Sequence, residues 1–392
     1  MSGQPEHIEG EQKAGVIVKL LANEVCYKKL MSRFLRIFLL LITLCLSKFV
    51  ERSWGVILLE TGDPDQNTTE PKGLLTGSGW QWLGQWQNFI GTPIDAHYFI
   101  TAAHIGGTVG LPLIIDGKAH VTTAAFRDPA SDLMIWQVRE PFENWAPLNE
   151  LTNEIGQPFV VFGRGTQRGT EVYLPLIPSK LRGWRWGLAD GRLRWGQNEV
   201  SQFETSRNEG ILDVFYATFD QKGGANECHL SVGDSGGPCF IQTGGRWCLA
   251  GINYGVDGHF NTSPDGSGFD AALFDRGGLY SGSDGSWIQH PMLPVPRPSG
   301  FFATRISVHT AWIRSVLDQP LRLPPQPMIA SAADGPYVVM AGAEVNQAQQ
   351  TITLPTMSAQ LFLRLESTQP ISIESARIQG TNFVVSYLFL TQ

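Results

Sequence analysis

Gly233-Asp234-Ser235-Gly236-Gly237-Pro238 is the stretch on which the reading of this chain turns. Glycines on both sides of a serine let the backbone take conformations closed to other residues and let a ligand approach closely. The pattern predicts a strained turn that presents one hydroxyl to a cleft. The backbone N–H groups of Gly233 and Ser235 could then point at the oxygen that becomes negative during acyl transfer. A bare hydroxyl is a poor nucleophile near neutral pH, so the reading demands a base and a group to orient it.

Both lie upstream. His104 follows Thr101-Ala102-Ala103, where small residues let an imidazole tuck against a strand end. Asp132 opens the apolar run Leu133-Met134-Ile135-Trp136-Gln137-Val138. His97 has no such context and reads as a surface turn residue.

The surroundings read as short strands. Ile90–Ile94 and Tyr98–Thr101 form one pair, Leu111–Val121 is hairpin-like, and Phe159–Phe162 runs into Gly163-Arg164-Gly165. Cys239–Ile241 and Trp247–Ala250 flank a Gly244-Gly245 turn. Residues 255–300, rich in Gly, Ser, Asp and Pro, read as long loops. Residues 308–317, with Ala311, Ile313 and Leu317 among polar residues, suit one amphipathic helix. Prolines 320, 324, 325 and 327 mark a stiff linker, residues 319–327. Residues 328–392 hold regularly spaced short strands but no cysteine or histidine, and read as a small β module without evident chemistry.

Composition agrees: 43 glycines, 24 prolines and 12 tryptophans favour a turn-rich β protein over a helical one. A formal net charge of −7 provides no basic footprint, so nucleic acid is not an expected partner. At the start, Arg33 and Arg36 precede the apolar run Ile37–Leu46, too short for a comfortable membrane span. With Cys45-Leu46-Ser47 as a cleavage site, residues 1–47 read as an N-terminal extension and signal peptide, which implies export. Met31 would be a natural start for such a signal.

The order His104, Asp132, Ser235 resembles that of the chymotrypsin/trypsin family of serine peptidases. Thr101-Ala102-Ala103-His104 matches the family's histidine motif, Asp132-Leu133-Met134-Ile135 resembles its aspartate motif, and Gly233 to Pro238 is its serine motif without a mismatch. Gly163-Arg164-Gly165 resembles the turn opening the second barrel. Ile252-Asn253-Tyr254-Gly255 resembles the strand that pairs with substrate, and Phe301 to Leu317 the terminal strand and helix. The resemblance covers about residues 75–318.

It implies two six-stranded antiparallel β-barrels with a C-terminal helix over residues 48–318, followed by the separate β module, as in a secreted, bacterial-type member. It also implies a serine endopeptidase with His104 as base, Asp132 as orienter, Ser235 as nucleophile, and Gly233 and Ser235 as oxyanion hole. Asn253, Tyr254 and Gly255 would bind substrate. His229 would lie at the floor of the primary pocket, where a trypsin carries aspartate, which disfavours Lys/Arg preference. A monomer acting on protein or peptide, with no cofactor, metal or membrane span after signal cleavage, is expected.

The chain also departs from the family. Asp234 resembles the residue that pairs with a buried N-terminus, but no basic residue followed by Ile-Val-Gly-Gly precedes the first strand, so another donor must satisfy it. Ile105 replaces the cysteine beside the histidine. Cys239 and Cys248 could bridge if their hairpin centres on Thr243-Gly244, or remain two buried thiols, with Cys228 unpaired or paired otherwise. Residues 261–300 run longer than expected and could lie over the cleft.

Two other readings fit parts of the chain. Gly233–Gly237 also fits the G-x-S-x-G turn of α/β-hydrolases, but Gly236-Gly237-Pro238 is a poor helix start. A protease-like binding module without turnover is the alternative that keeps the same fold.

Overall fold

The strands Tyr98–Ala102 and Pro158–Gly163 are buried on both faces, and their alternation decides how the molecule is put together. Phe99 points into one core with Trp86, Leu113, Trp136 and Val138. Phe159 and Val161 point into another with Phe215, Ile241 and Phe301. The intervening residues Tyr98, Ile100, Ala102, Val160 and Phe162 meet in a third cluster that joins the two halves. A period of two thus gives each strand a place in its own barrel and in the seam between barrels.

The computed structural model describes residues 55–174, 178–188, 191–204, 213–346, 349–355, 361–367 and 369–390. The expected leader, residues 1–47, lies outside them. No helix among the described residues is long and apolar enough to cross a membrane.

The first half is a closed six-stranded barrel. Its order is Gly84–Trp86, Phe89–Asp95, Tyr98–Ala102, Leu133–Val138, Lys118–Arg127 and Pro112–Ile115, closed where Gln85 pairs with Ile114. The second half is a seven-stranded antiparallel sheet curled into a half-barrel. Its order is Arg194–Glu199, Pro158–Gly163, Pro238–Thr243, Arg246–Val256, Gly300–Arg305, Val214–Thr218 and Gln202–Glu204. The two edge strands are consecutive in sequence, joined through Val200 and Ser201, so the sheet bends back towards itself. This is the trypsin-like two-barrel fold, with an open, curled sheet of seven strands where a second closed barrel of six was expected. The helix Thr310–Leu317 closes it, burying Ile313 and Val316, while Ala311 faces solvent instead of the core.

Three local details either change an expectation or choose between two. Residues 255–300 are not all loop: Ala271–Leu273 pairs with Lys180–Trp186, and Tyr280–Ser283 with Ser286–Gln289. Glycine-rich composition hid strands whose partners are distant or very short. The cysteine hairpin turns on Gly244-Gly245, both at positive φ, with Thr243 opposite Arg246. Cys248 therefore faces Ile241, a bulge sets Cys239 against Gly251, and Cys228, Cys239 and Cys248 are all free and buried.

The linker is the third. Tyr98 Oη donates to Gln319 O at 3.1 Å, Arg322 N donates to Gln137 Oε1 at 2.5 Å, and Leu321 packs on the seam cluster. The segment is thus strapped to the first barrel. The next strand, Gln326–Ala330, begins before residue 328, with Pro327 opposite Leu365. It forms a three-stranded sheet with Val338–Val339 and Phe362–Glu366. A four-stranded sheet of Glu344–Asn346, Thr351–Leu354, Asn382–Phe389 and Ile371–Gln379 shares its core around Ile352, Val385 and Tyr387.

Candidate active site

Register brings two of the predicted side chains together. Ala102 pairs with Leu133, so the residues just beyond these strand ends, His104 and Asp132, become neighbours. Ala103 N donates to Asp132 O at 2.7 Å, turning the chain into a short 3-10 turn, Ala103–Ile105. The Asp132 carboxylate then accepts twice from one residue. Its Oδ1 takes the backbone N–H of His104 at 2.9 Å, and its Oδ2 takes Nδ1–H at 2.5 Å. A carboxylate only accepts, so the proton sits on Nδ1 and Nε2 is turned the other way. There it meets Ser235 Oγ at 2.8 Å. The Asp132 side chain is 9% exposed and that of His104 40%, so the pair is dry at the back and open at the front.

The serine turn is held by backbone hydrogen bonds. Gly236 N donates to Asn253 O, Asn253 N to Gly237 O, and Gly237 N to Asp234 O, all between 2.8 and 3.1 Å. Gly233 lies at φ 95°, in the region that favours glycine. The N–H groups of Gly233 and Ser235 are both without an acceptor among the described residues.

Asp234 points away from this front. Its Oδ1 accepts Gly165 N at 2.7 Å, and its Oδ2 accepts Ser231 N at 2.8 Å and Ser231 Oγ at 3.1 Å. Backbone amides and a serine hydroxyl are thus the donors the sequence reading required. The carboxylate lies so close to the Gly163-Arg164-Gly165 turn that a Cβ at Gly163 would sit 1.9 Å from Oδ1, and one at Gly165 2.3 Å from Oδ2.

Burial outweighs these hydrogen bonds and pushes the Asp234 carboxyl up from 3.8 to about 7. The folded state holds this proton more tightly than the unfolded chain. Its contribution to stability is therefore complete below about pH 3.8 and lost as pH rises through about 7. Glu227, pushed up to about 8 mainly by burial, acts in the same sense. The urea midpoint should fall as pH rises between about 4 and 7, and Asp234→Asn should flatten that fall without abolishing it. An unchanged slope in the variant would refute the assignment of the proton to Asp234.

The remaining expected site residues fare differently. His229 is fully buried between Phe219 and Phe301, with Nδ1 2.5 Å from Leu230 O and Nε2 3.2 Å from Ser299 Oγ. Burial pushes its imidazole down to about 4, and neither ring nitrogen is open to a ligand. It lies behind a wall and does not form an accessible pocket floor. The Asn253 side chain is also turned inward: Nδ2 donates to Phe162 O and Asp234 O at 3.0 and 2.9 Å, clamping the serine turn. The Tyr254 ring meets His104 edge-on at 6.0 Å, and the space above Gly255 is open. Sequence reasoning missed Ser231 and the clamping role of Asn253, because both act through contacts that leave no local pattern. Among the described residues, no group of three or more His, Cys, Asp or Glu side chains could hold a metal ion.

No family model and no curated protein matches the chain. Solved structures similar to it include neuropsin, a serine protease expressed in the limbic system of mouse brain. It is 16% identical over 62% of this chain and 96% of its own, with a TM-score of 0.37. Another is HBP, known at atomic resolution, 17% identical over 64% of this chain and 96% of its own, also with a TM-score of 0.37.

Proposed function

We propose that this protein is a serine endopeptidase that hydrolyses peptide bonds through an acyl-enzyme. The observation that carries the proposal is the continuous run Asp132–His104–Ser235, 2.5 Å at one joint and 2.8 Å at the other, beside two unoccupied backbone donors. As Oγ attacks the carbonyl carbon, His104 Nε2 takes its proton. Asp132 holds the ring and stabilises the imidazolium, and the Gly233 and Ser235 N–H groups receive the developing oxyanion. The same Nε2 proton then goes to the departing amine. Water repeats the sequence on the acyl-enzyme, with the proton returned to Oγ. The strand Arg246–Val256 outruns its partner, which begins opposite Ile252, and the open space over Gly255 suits an extended peptide alongside it.

Export is part of the proposal, supported by the basic and apolar pattern of residues 31–47. The three thiols are compatible with it: all are buried and burial raises their pKa, so they are poor nucleophiles and unreactive towards one another. Residues 48–318 would form the peptidase, and the strapped C-terminal sheets an accessory module.

A fluorophosphonate probe tests the function directly. Wild-type protein should be labelled at one site, and labelling should vanish in Ser235→Ala. A folded wild type that takes no label would instead favour a binding module built on the peptidase fold.

A further inference from the structure

We propose that His309 is a positioning residue for the Asp132–His104 pair, acting through Asp128 and Ser131. The inference rests on the peptidase reading for its meaning, but on its own set of contacts for its evidence.

Asp132 is the last residue of the connection between the strands Lys118–Arg127 and Leu133–Val138. Asp128 organises that connection. Its backbone N–H donates to Leu133 O at 3.0 Å, its Oδ1 accepts Ala130 N at 3.0 Å, and its Oδ2 accepts Ser131 Oγ–H at 2.6 Å. Ser131 Oγ in turn accepts Leu133 N at 3.3 Å, so both neighbours of Asp132 are tied to one carboxylate. Local turns of this kind are weak when nothing anchors the side chain that makes them.

The anchor comes from the far end of the chain. His309 stands immediately before the helix Thr310–Leu317, its backbone fixed by bonds to Ile306 O and from Ile313 N. Its Nδ1 lies 2.8 Å from Asp128 Oδ2, with the two side chains 7% and 3% exposed. Its Nε2 has no partner among the described residues, so the only polar contact of this buried ring is to Asp128. The helix itself is held in the seam by Ile313 and Val316.

A rigid element therefore grips Asp128, Asp128 grips Ser131, and the two fix the backbone on either side of Asp132. Asp132 has to aim two oxygens at two different N–H groups of His104. A small rotation of its carboxylate weakens one bond when it favours the other. Held from behind, with its side chain 9% exposed, the carboxylate has one orientation.

The experiment compares His309→Leu, which removes the donor, with His309→Asn, whose amide N–H can stand where Nδ1–H stood. Two readouts are taken. One is the far-downfield proton resonance of the His104–Asp132 hydrogen bond, which needs no turnover. The other is kcat and KM per fluorophosphonate-titrated site. His309→Leu should shift or broaden the resonance and lower kcat about ten-fold or more with KM little changed, and His309→Asn should restore both. A folded His309→Leu protein with lower Tm but wild-type resonance and wild-type kcat per site would reduce the contact to a stabilising brace and overturn the proposal. Should that variant not fold, Ser131→Ala breaks the relay one link later. It should lower kcat in the same sense, and wild-type values there would equally overturn the proposal. If wild-type protein takes no label and turns over no substrate, the peptidase reading fails, while the resonance still reports whether His309 orients Asp132.

Discussion

Ser235→Ala is expected to lower kcat by about a million-fold while leaving KM and the fold unchanged, a barrier increase of about 8 kcal/mol. The alanine keeps the turn, since the hydrogen bonds that shape it run between backbone groups and through the Asn253 amide. What disappears is the hydroxyl that lies 2.8 Å from His104 Nε2. The Gly233 and Ser235 amides remain, so slow hydrolysis about a thousand-fold above the uncatalysed rate should survive. Steady-state kinetics on a peptide ester, with near-ultraviolet dichroism as the folding control, decides it. A variant within ten-fold of wild type would remove the nucleophile assignment.

Asp132→Asn is expected to cost about ten thousand-fold in kcat with the geometry intact. The carboxylate accepts from both the backbone N–H and Nδ1–H of His104, whereas an amide has one accepting oxygen and one donating nitrogen. If the oxygen stays with the backbone, the NH2 faces Nδ1 and forces the ring proton onto Nε2. That nitrogen can then no longer take the proton of Ser235. If the amide flips, the backbone bond breaks and the 3-10 turn loosens. In the first case the base is lost, in the second it is kept but loosely held, and in both the nucleophile remains. A loss of less than about ten-fold would show that His104 keeps its tautomer by other means.

The side chains that meet at this site were more legible in the sequence than their mounting. Ser235 was readable because glycines flank it and a proline ends the turn, all within six residues. His104 and Asp132 were readable as strand-end residues, and the Ala102–Leu133 register then makes them meet. By contrast, Asn253 looks like a strand residue facing a ligand, and only the fold shows its amide turned inward onto Asp234 O. His229 was placed by counting back from Ser235. Counting along the chain does not reveal that the ring is covered by Phe219 and Phe301 from other strands. Whether Cys239 meets Cys248 depended on the hairpin centre, which lies one residue later than the bridged option needs, and on a bulge that sequence does not announce. His309 had no local signal at all, since its partner lies in the other half of the molecule.

The seam cluster has a consequence for how this protein can fail. Ile90, Ile100 and Leu133 from one half share a single apolar mass with Val160, Phe240 and Ile252 from the other, and the final helix adds Ile313 and Val316. Parting the halves would expose that whole mass to water at once, so neither is suited to an independent existence as a fragment. Ala102 and Leu133, at the strand ends that carry His104 and Asp132, belong to that same shared mass.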